Sequence, residues 1–258
     1  MSDPLCVDAI LTREAATAIA GTGLAVARWR QALLARGHDL TLITCPEAPP
    51  PGEAQAAAQR LRAVRTAFMR ELARRWATRR PDLVHIELAG NVGLAALDAA
   101  TQLGLPTTAT FHRIDRLTGS PEAESRVLAQ MAAFHRRCSL SVALGQPGAA
   151  LLASLGVESV AVIGRGVDTE DFHPRWRDPS MRLAWGATPE TPVILSVGRL
   201  LSIKDPGALV AACQAARARH PALRAVIVGD GPEGPALRAA LPWAVFPGVL
   251  SGNALSQA

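Results

Sequence analysis

Tyrosine is absent from this chain, and its other aromatics amount to five tryptophans and five phenylalanines in 258 residues. Surfaces on which nucleic-acid bases stack set aromatic rings among basic side chains, and no RNP-like or zinc-finger pattern makes up for the shortage. Nucleic acid is not expected as a partner. Cysteine is as scarce: Cys6, Cys45, Cys138 and Cys213 stand far apart, with no C-x-x-C among them. That excludes a disulfide framework and a thiolate zinc site and fits a reducing compartment. The histidines at 38, 85, 112, 135, 173 and 220 show no metal-ligand spacing, so no essential metal is expected. Long hydrophobic runs are missing too. No window reaches about 18 uninterrupted apolar residues, and the first residues lack a basic region leading into an apolar one. The expectation is a cytoplasmic protein that neither spans a membrane nor is exported.

What is present makes a globular chain. Hydrophobic residues are 49% and charged residues 19%, enough apolar material for a proper core. A net charge of +5 and a pI near 9.8 suit anionic partners without choosing among them. The length favours two domains over one.

Strand and helix patterns alternate from the start. Apolar runs at 6–11, 40–44, 83–86, 106–111, 140–144 and 160–163 read as strands. Helical spacing at 23–36, 54–80, 92–103, 121–138 and 146–155 falls between them, punctuated by Gly37, Pro81, Gly104 and Gly156. This is the α/β, doubly wound pattern, with helices packed on a parallel sheet. Residues 1–170 form the first expected domain, 171–191 a linker rich in proline and charge, and 192–258 a second domain. The second alternates strand 193–197, helix 207–219, strand 224–228, helix 234–241, strand 244–246 and the start of a helix at 253–258. Three strands with two complete helices leave faces of a parallel sheet uncovered, so this domain is expected to be incomplete, cut short or in need of a partner.

Chemistry-bearing residues fall at the carboxyl ends of these strands, where open α/β sheets hold ligands. Gly21-Thr22-Gly23 lies between the first strand and its helix, where free N–H groups and the helix dipole favour an anion. His112 ends the strand 106–111 and is the leading catalytic candidate. Gly198 ends the strand 193–197 and is followed by Arg199 and, five residues on, Lys204. Arg offers a planar fork for phosphate, Lys a mobile point charge. Together they suit a diphosphate leaving group, whose growing negative charge fixed cations stabilise in the transition state. Val228-Gly229-Asp230-Gly231-Pro232 is either a crevice wall whose glycines admit a ligand or a simple turn. The arginine-rich helix 54–80 could rest on an anionic membrane, but its Leu61, Val64, Phe68 and Leu72 read better as a core stripe with a solvated basic back.

The phrases Gly164-Arg165-Gly166-Val167-Asp168, Phe172-His173-Pro174, Val197-Gly198-Arg199-Leu200, Val228-Gly229-Asp230-Gly231-Pro232 and Phe246-Pro247-Gly248 resemble, in combination, a known family. It is that of the retaining GT-B glycosyltransferases (family 4-like), which includes GDP-mannose-dependent α-mannosyltransferases and sulfoquinovosyl transferases. Arg36-Gly37-His38, Pro81-Asp82-Leu83-Val84-His85 and Phe111-His112 extend the resemblance into the first domain. It implies two Rossmann-like domains and transfer of a sugar, with retention, from a GDP- or UDP-linked donor to a lipid or carbohydrate acceptor. The leaving phosphate would receive the acceptor's proton, and no metal would be essential. By the same resemblance Gly21 and Thr22 approach the donor phosphate, His112 lines the reacting sugar, Arg199 and Lys204 bind the diphosphate, and Val249 and Leu250 sit near the nucleobase. Peripheral contact with an anionic membrane would follow from a lipid acceptor. Two departures stand out. The family's "FHTN" is Phe111-His112-Arg113-Ile114 here, and its later E-x7-E element is missing, since no Asp or Glu follows Glu233. A truncated, non-catalytic module that binds a nucleotide or complements a second chain, and a GT-B nucleotide-sugar epimerase, are the competing expectations.

Overall fold

The computed structural model describes residues 3–12, 22–45, 54–112 and 120–258. The segment 46–52, Gly21 and Arg113-Ile114 lie outside the described residues. The chain divides into two compact units, residues 1–166 and 167–258.

In the first unit β1 (Cys6–Leu11), β2 (Asp39–Thr44), β3 (Leu83–Ile86), β4 (Thr107–Phe111), β5 (Leu140–Ala143) and β6 (Val160–Val162) form one parallel sheet in the order β2-β1-β3-β4-β5-β6. The helices are α1 (Thr22–Ala35), α2 (Ala54–Thr78), α3 (Asn91–Gln102), α4 (Pro121–His135) and α5 (Gln146–Ser154). The order reverses between β1 and β3, which places the switch-point crevice at their carboxyl ends. Crossovers of one hand put the helix of the single leftward step, α1, on one face and the others on the opposite face. Side-chain parity agrees. Val7, Ala9 and Leu11 of β1 pack with Val26 and Trp29 of α1, while Ile10, Val84, Ile86 and Ala109 pack with Phe68, Leu72 and Trp76 of α2 and with the alanines of α3.

The arginine-rich helix α2 is held by its stripe and also by its charges. Asp8 is fully buried in β1, where it accepts from Trp76 Nε1 at 2.8 Å and meets Arg79 Nη1 at 3.4 Å and Arg75 Nε at 3.6 Å. Arg65 donates to Asp98 of α3 at 2.5 Å. A lone buried carboxylate would be costly; the indole N–H and two guanidinium groups compensate it. Part of the basic back is therefore structural, and Arg60, Arg62, Arg70 and Arg74 remain exposed.

In the second unit β7 (Val193–Val197), β8 (Arg224–Val228) and β9 (Val245–Gly248) form a parallel sheet in that order. On one face α7 (Pro206–Arg219) and α8 (Gly234–Ala240) enclose Leu200, Cys213, Ala225, Ile227, Leu237 and Leu241. On the other, Trp185, Val226 and Val228 gather Met181, Leu250 and Leu255 around them. Residues 171–191 do not run as an extended linker. They carry a 3-10 turn at Pro174–Trp176 and a helix α6 (Pro179–Ala184) capped by Asp178, and they deliver Trp185 to that second face. The short α9 (Gly252–Gln257) adds to it, and the Asp178 N–H donates to the Gln257 carbonyl at 3.3 Å. The cover is partial, for Leu195 and Val197 of β7 stay 41% and 52% exposed.

Candidate functional site

The register of β3 against β4 assembles the first site. His85 lies directly opposite Thr108, and alternate residues share a face of a strand, so His85 and Glu87 on one strand meet Thr108, Thr110 and His112 on the next. Thr108 Oγ1 is 2.8 Å from His85 Nδ1; His85 Nε2 is 3.1 Å from Glu87 Oε2 and 3.2 Å from Thr110 Oγ1. Thr110 Oγ1 is 3.1 Å from the same carboxylate oxygen, and His112 Nε2 is 3.0 Å from Glu87 Oε1.

One assignment of protons satisfies every group. The Thr108 hydroxyl donates to His85 Nδ1, His85 Nε2–H and the Thr110 hydroxyl donate to Glu87 Oε2, and His112 Nε2–H donates to Glu87 Oε1. His112 Nδ1 is then an acceptor, 3.4 Å from Nη2 of Arg165 in the loop after β6. Glu87 is 5% exposed. Burial would raise its carboxyl, but the hydrogen bonds from His112 and His85 outweigh that and hold it at about 2. The ring of Trp29 meets His85 edge-on at 5.3 Å. The result is a histidine at a strand end with one nitrogen fixed by a buried carboxylate and the other facing an exposed guanidinium.

Beside His112 opens a cleft of about 340 Å3, lined by the loop after β3 (Leu88, Ala89 and Gly90), by Leu94 of α3, by Thr110, and by Val127, Gln130, Met131 and Phe134 of α4. The start of α4 is fixed by Ser120, whose hydroxyl accepts from the Ala123 N–H, with Pro121 next and Glu122 and Glu124 in the first turn.

The second unit carries the other candidates on backbone loops. Gly198, Arg199 and Lys204 follow β7, and Gly229 and Gly231 follow β8. Leu200 N–H donates to the Asp230 carbonyl at 2.9 Å and Glu233 N–H to the Leu200 carbonyl at 3.0 Å. A Cβ at Gly229 (φ 133°) would fall on the Gly198 carbonyl oxygen, and one at Gly231 (φ 155°) on that of Leu200. Their close approach is thus to the neighbouring loop, which they lock in place, whereas a Cβ at Gly198 meets open space. Lys204 ends a 3-10 turn at Ser202–Lys204, and Asp205 behind it caps α7 by accepting from the Ala208 N–H. Arg199 and Lys204 are exposed, and neither side chain has a hydrogen-bond or ion-pair partner among the described residues. Lys204 is the only lysine in the chain. Val249 is 72% exposed, but Leu250 packs toward Trp185 and Val226. Thr22 is the first residue of α1.

Residues 19–171 match glycosyltransferase family 4. The chain belongs to that family. A GDP-mannose-dependent alpha-mannosyltransferase of Mycolicibacterium smegmatis is 34% identical over 184 residues, covering 69% of this chain and 47% of that protein. The family 4 chain thus spans about half the length of the curated relative. A glycosyltransferase from Rickettsia africae superposes with a TM-score of 0.69 at 15% identity, over 99% of this chain and 71% of that one. Anabaena HepE, in complex with UDP and glucose, does so with a TM-score of 0.64 at 17% identity, over 98% and 71%. Two parallel α/β sheets of the GT-B type are the fold these share with the family 4 chain.

Two family motifs of the first unit prove to be structural latches. Asp82 Oδ2 accepts from the Cys6 N–H at 2.7 Å, and His38 Nδ1 accepts from the Leu5 N–H at 3.1 Å. Glu87 and Thr110 were not singled out from the sequence, and His85 stood there only as the end of a family motif. Their mark was legible: buried parallel strands read as continuous apolar runs, and here His85-Ile86-Glu87 and Thr108-Ala109-Thr110-Phe111-His112 alternate polar with apolar residues.

Proposed function

We propose that the chain transfers a sugar from a nucleotide-sugar donor, GDP- or UDP-linked, to a hydroxyl of a lipid or carbohydrate acceptor with retention of configuration. The observation that carries this reading is the pair Arg199 and Lys204. They are two uncommitted cations at the carboxyl end of a parallel strand, beside a glycine with open space over its Cα, in a chain of glycosyltransferase family 4. A diphosphate there would take a bidentate contact from Arg199 and a point charge from Lys204. In the reaction the bond from the sugar's anomeric carbon to the diphosphate oxygen breaks, and a bond to the acceptor oxygen forms on the same face. The acceptor's proton passes to the departing phosphate. Growing charge on that phosphate is neutralised by the two cations, so no metal is required. His112 contacts the reacting sugar, held in orientation by Glu87.

That the solved neighbour HepE is a complex with UDP and glucose supports a nucleotide-sugar donor, and the family match supports transfer over epimerisation. Among the described residues no helix is long and apolar enough to cross a membrane. The exposed Arg60, Arg62, Arg70 and Arg74 of α2 support peripheral contact with an anionic, cytoplasm-facing surface. Calorimetric titration of the purified chain with GDP and with UDP, in the presence of a chelator, tests the donor half. Saturable binding of one of them is expected, and no binding of either overturns the reading.

A further inference from the structure

We propose that the cleft beside His112 holds the hydrocarbon chain of a lipid acceptor, whose hydroxyl head lies at His112. This rests on the reading that His112 contacts the reacting sugar.

Among the described residues the walls are apolar, and none of the lining side chains is an acid, a lysine or an arginine. Leu88, Leu94, Val127 and Met131 supply hydrocarbon surface, and the polar side chains of the described lining are Thr110, His112 and Gln130. Away from His112, whose Nδ1 faces the Arg165 guanidinium at 3.4 Å, a free sugar or a phosphorylated polyol would find few hydrogen-bond partners along these described walls. A hydrocarbon chain would leave water, and each methylene that does so multiplies affinity by roughly four. The volume, about 340 Å3, is at the lower end for a small-molecule pocket, which suits one chain.

The cleft is also built in advance. A Cβ on Gly93, in the first turn of α3, would collide with the Leu88 carbonyl oxygen and crowd Ile86. The loop carrying Leu88 is therefore pressed against α3 and cannot relax into the space. On the far wall Phe134 is anchored in the core with Ile86 and Ala109. His112 is fixed by the carboxylate of Glu87, so the polar end of the cleft keeps its orientation. Preorganisation of this kind belongs to a ligand site more than to a packing defect.

The test is isothermal titration of the full chain with octyl α-D-mannopyranoside, below its micelle-forming concentration, and with methyl α-D-mannopyranoside. The octyl glycoside is expected to bind at least tenfold more tightly. Val127→Trp, which fills the cleft, should abolish the difference while the melting temperature holds; Ala89→Phe serves the same end if Val127→Trp fails to fold. No difference between the two glycosides, or a difference that survives in a folded, cleft-filling variant, overturns the proposal. GDP and UDP are titrated on the same samples. An octyl preference without nucleotide binding would sink the transferase reading alone, and nucleotide binding without an octyl preference would sink the cleft alone.

Discussion

The two units solve the problem of placing charged groups in opposite ways. In the first, a carboxylate is buried and held by three side-chain hydrogen bonds: Glu87 receives His85, Thr110 and His112. In the second, Arg199 and Lys204 are exposed, partnerless among the described residues, and carried by loops whose shape comes from backbone contacts and two glycines. Satisfied polar groups in a low-dielectric site rigidify it. Uncommitted cations in water cost the fold little and are free to engage an anion. The first unit fixes a geometry, and the second waits for a charge.

The largest effect that could break this contrast is on stability. Glu87→Ala leaves two imidazoles and a hydroxyl facing a vacated site, and should destabilise the first unit by about 4 kcal/mol. Amide hydrogen exchange of β3 and β4 reads that loss directly, with exchange in β7 and β8 unchanged. If protection in β3 falls by less than about 1 kcal/mol, a typical single hydrogen bond, the network is ornamental and the contrast fails.

A second test uses acid. His135 is buried on α4, between the rings of Phe111 and Phe134, with Nδ1 2.9 Å from Ser141 Oγ and no partner for Nε2 among the described residues. Burial lowers its pKa to about 4, because a proton on Nε2 would be a buried charged donor without an acceptor. The unfolded histidine takes up a proton near pH 6.5 and the folded one only near pH 4, so the unfolded state binds more protons between those values. Stability must therefore fall as pH falls through this window, by about 3 kcal/mol at its lower end. Glu87, its carboxyl held down from 4.5 to about 2, adds a loss of the same sign that sets in as pH falls through 4.5 and is complete only below its folded value. Urea unfolding at pH 7 and pH 4.5, with His135→Gln flattening the difference, checks the assignment; an unchanged slope in that variant refutes it.

How much of this was legible in the sequence follows from which forces were local. Strands 6–11, 83–86, 193–197 and 224–228 coincide with β1, β3, β7 and β8, because apolar runs bounded by glycine and proline determine them on the spot. The end of α4 was not: helical spacing ran on to Cys138, and the helix stops at His135, with Arg136 and Cys138 in turn bonds to the carbonyls of Ala132 and His135. Residues 171–191 looked like linker because prolines and charges dominate them, yet Trp185 finds a hydrophobic face that only the folded sheet creates. The same limit hid the pairing of Trp76 with Asp8. It also hid the packing of Leu250, which similarity sets near the nucleobase, against Trp185 and Val226. The network at Glu87 depended on register between strands, which no single strand's pattern contains.

The smallest effect on the fold should come from the residues expected to matter most for the ligand. Arg199→Ala and Lys204→Ala remove exposed side chains that bond to nothing described, so each should change unfolding free energy by no more than about 0.5 kcal/mol. If each makes a charge-assisted contact with a diphosphate, each should weaken GDP or UDP binding by roughly 1.5 to 3 kcal/mol. The sole lysine gives an independent reading. An amine-directed reagent can modify only Lys204 and the amino terminus, and bound nucleoside diphosphate should protect Lys204 while leaving the terminus reactive. Equal labelling with and without nucleotide, together with unchanged affinity in both variants, would move the diphosphate away from β7. A loss of stability beyond about 1 kcal/mol in either variant would show these cations to be structural, like those around Asp8, and the difference between the two units would disappear.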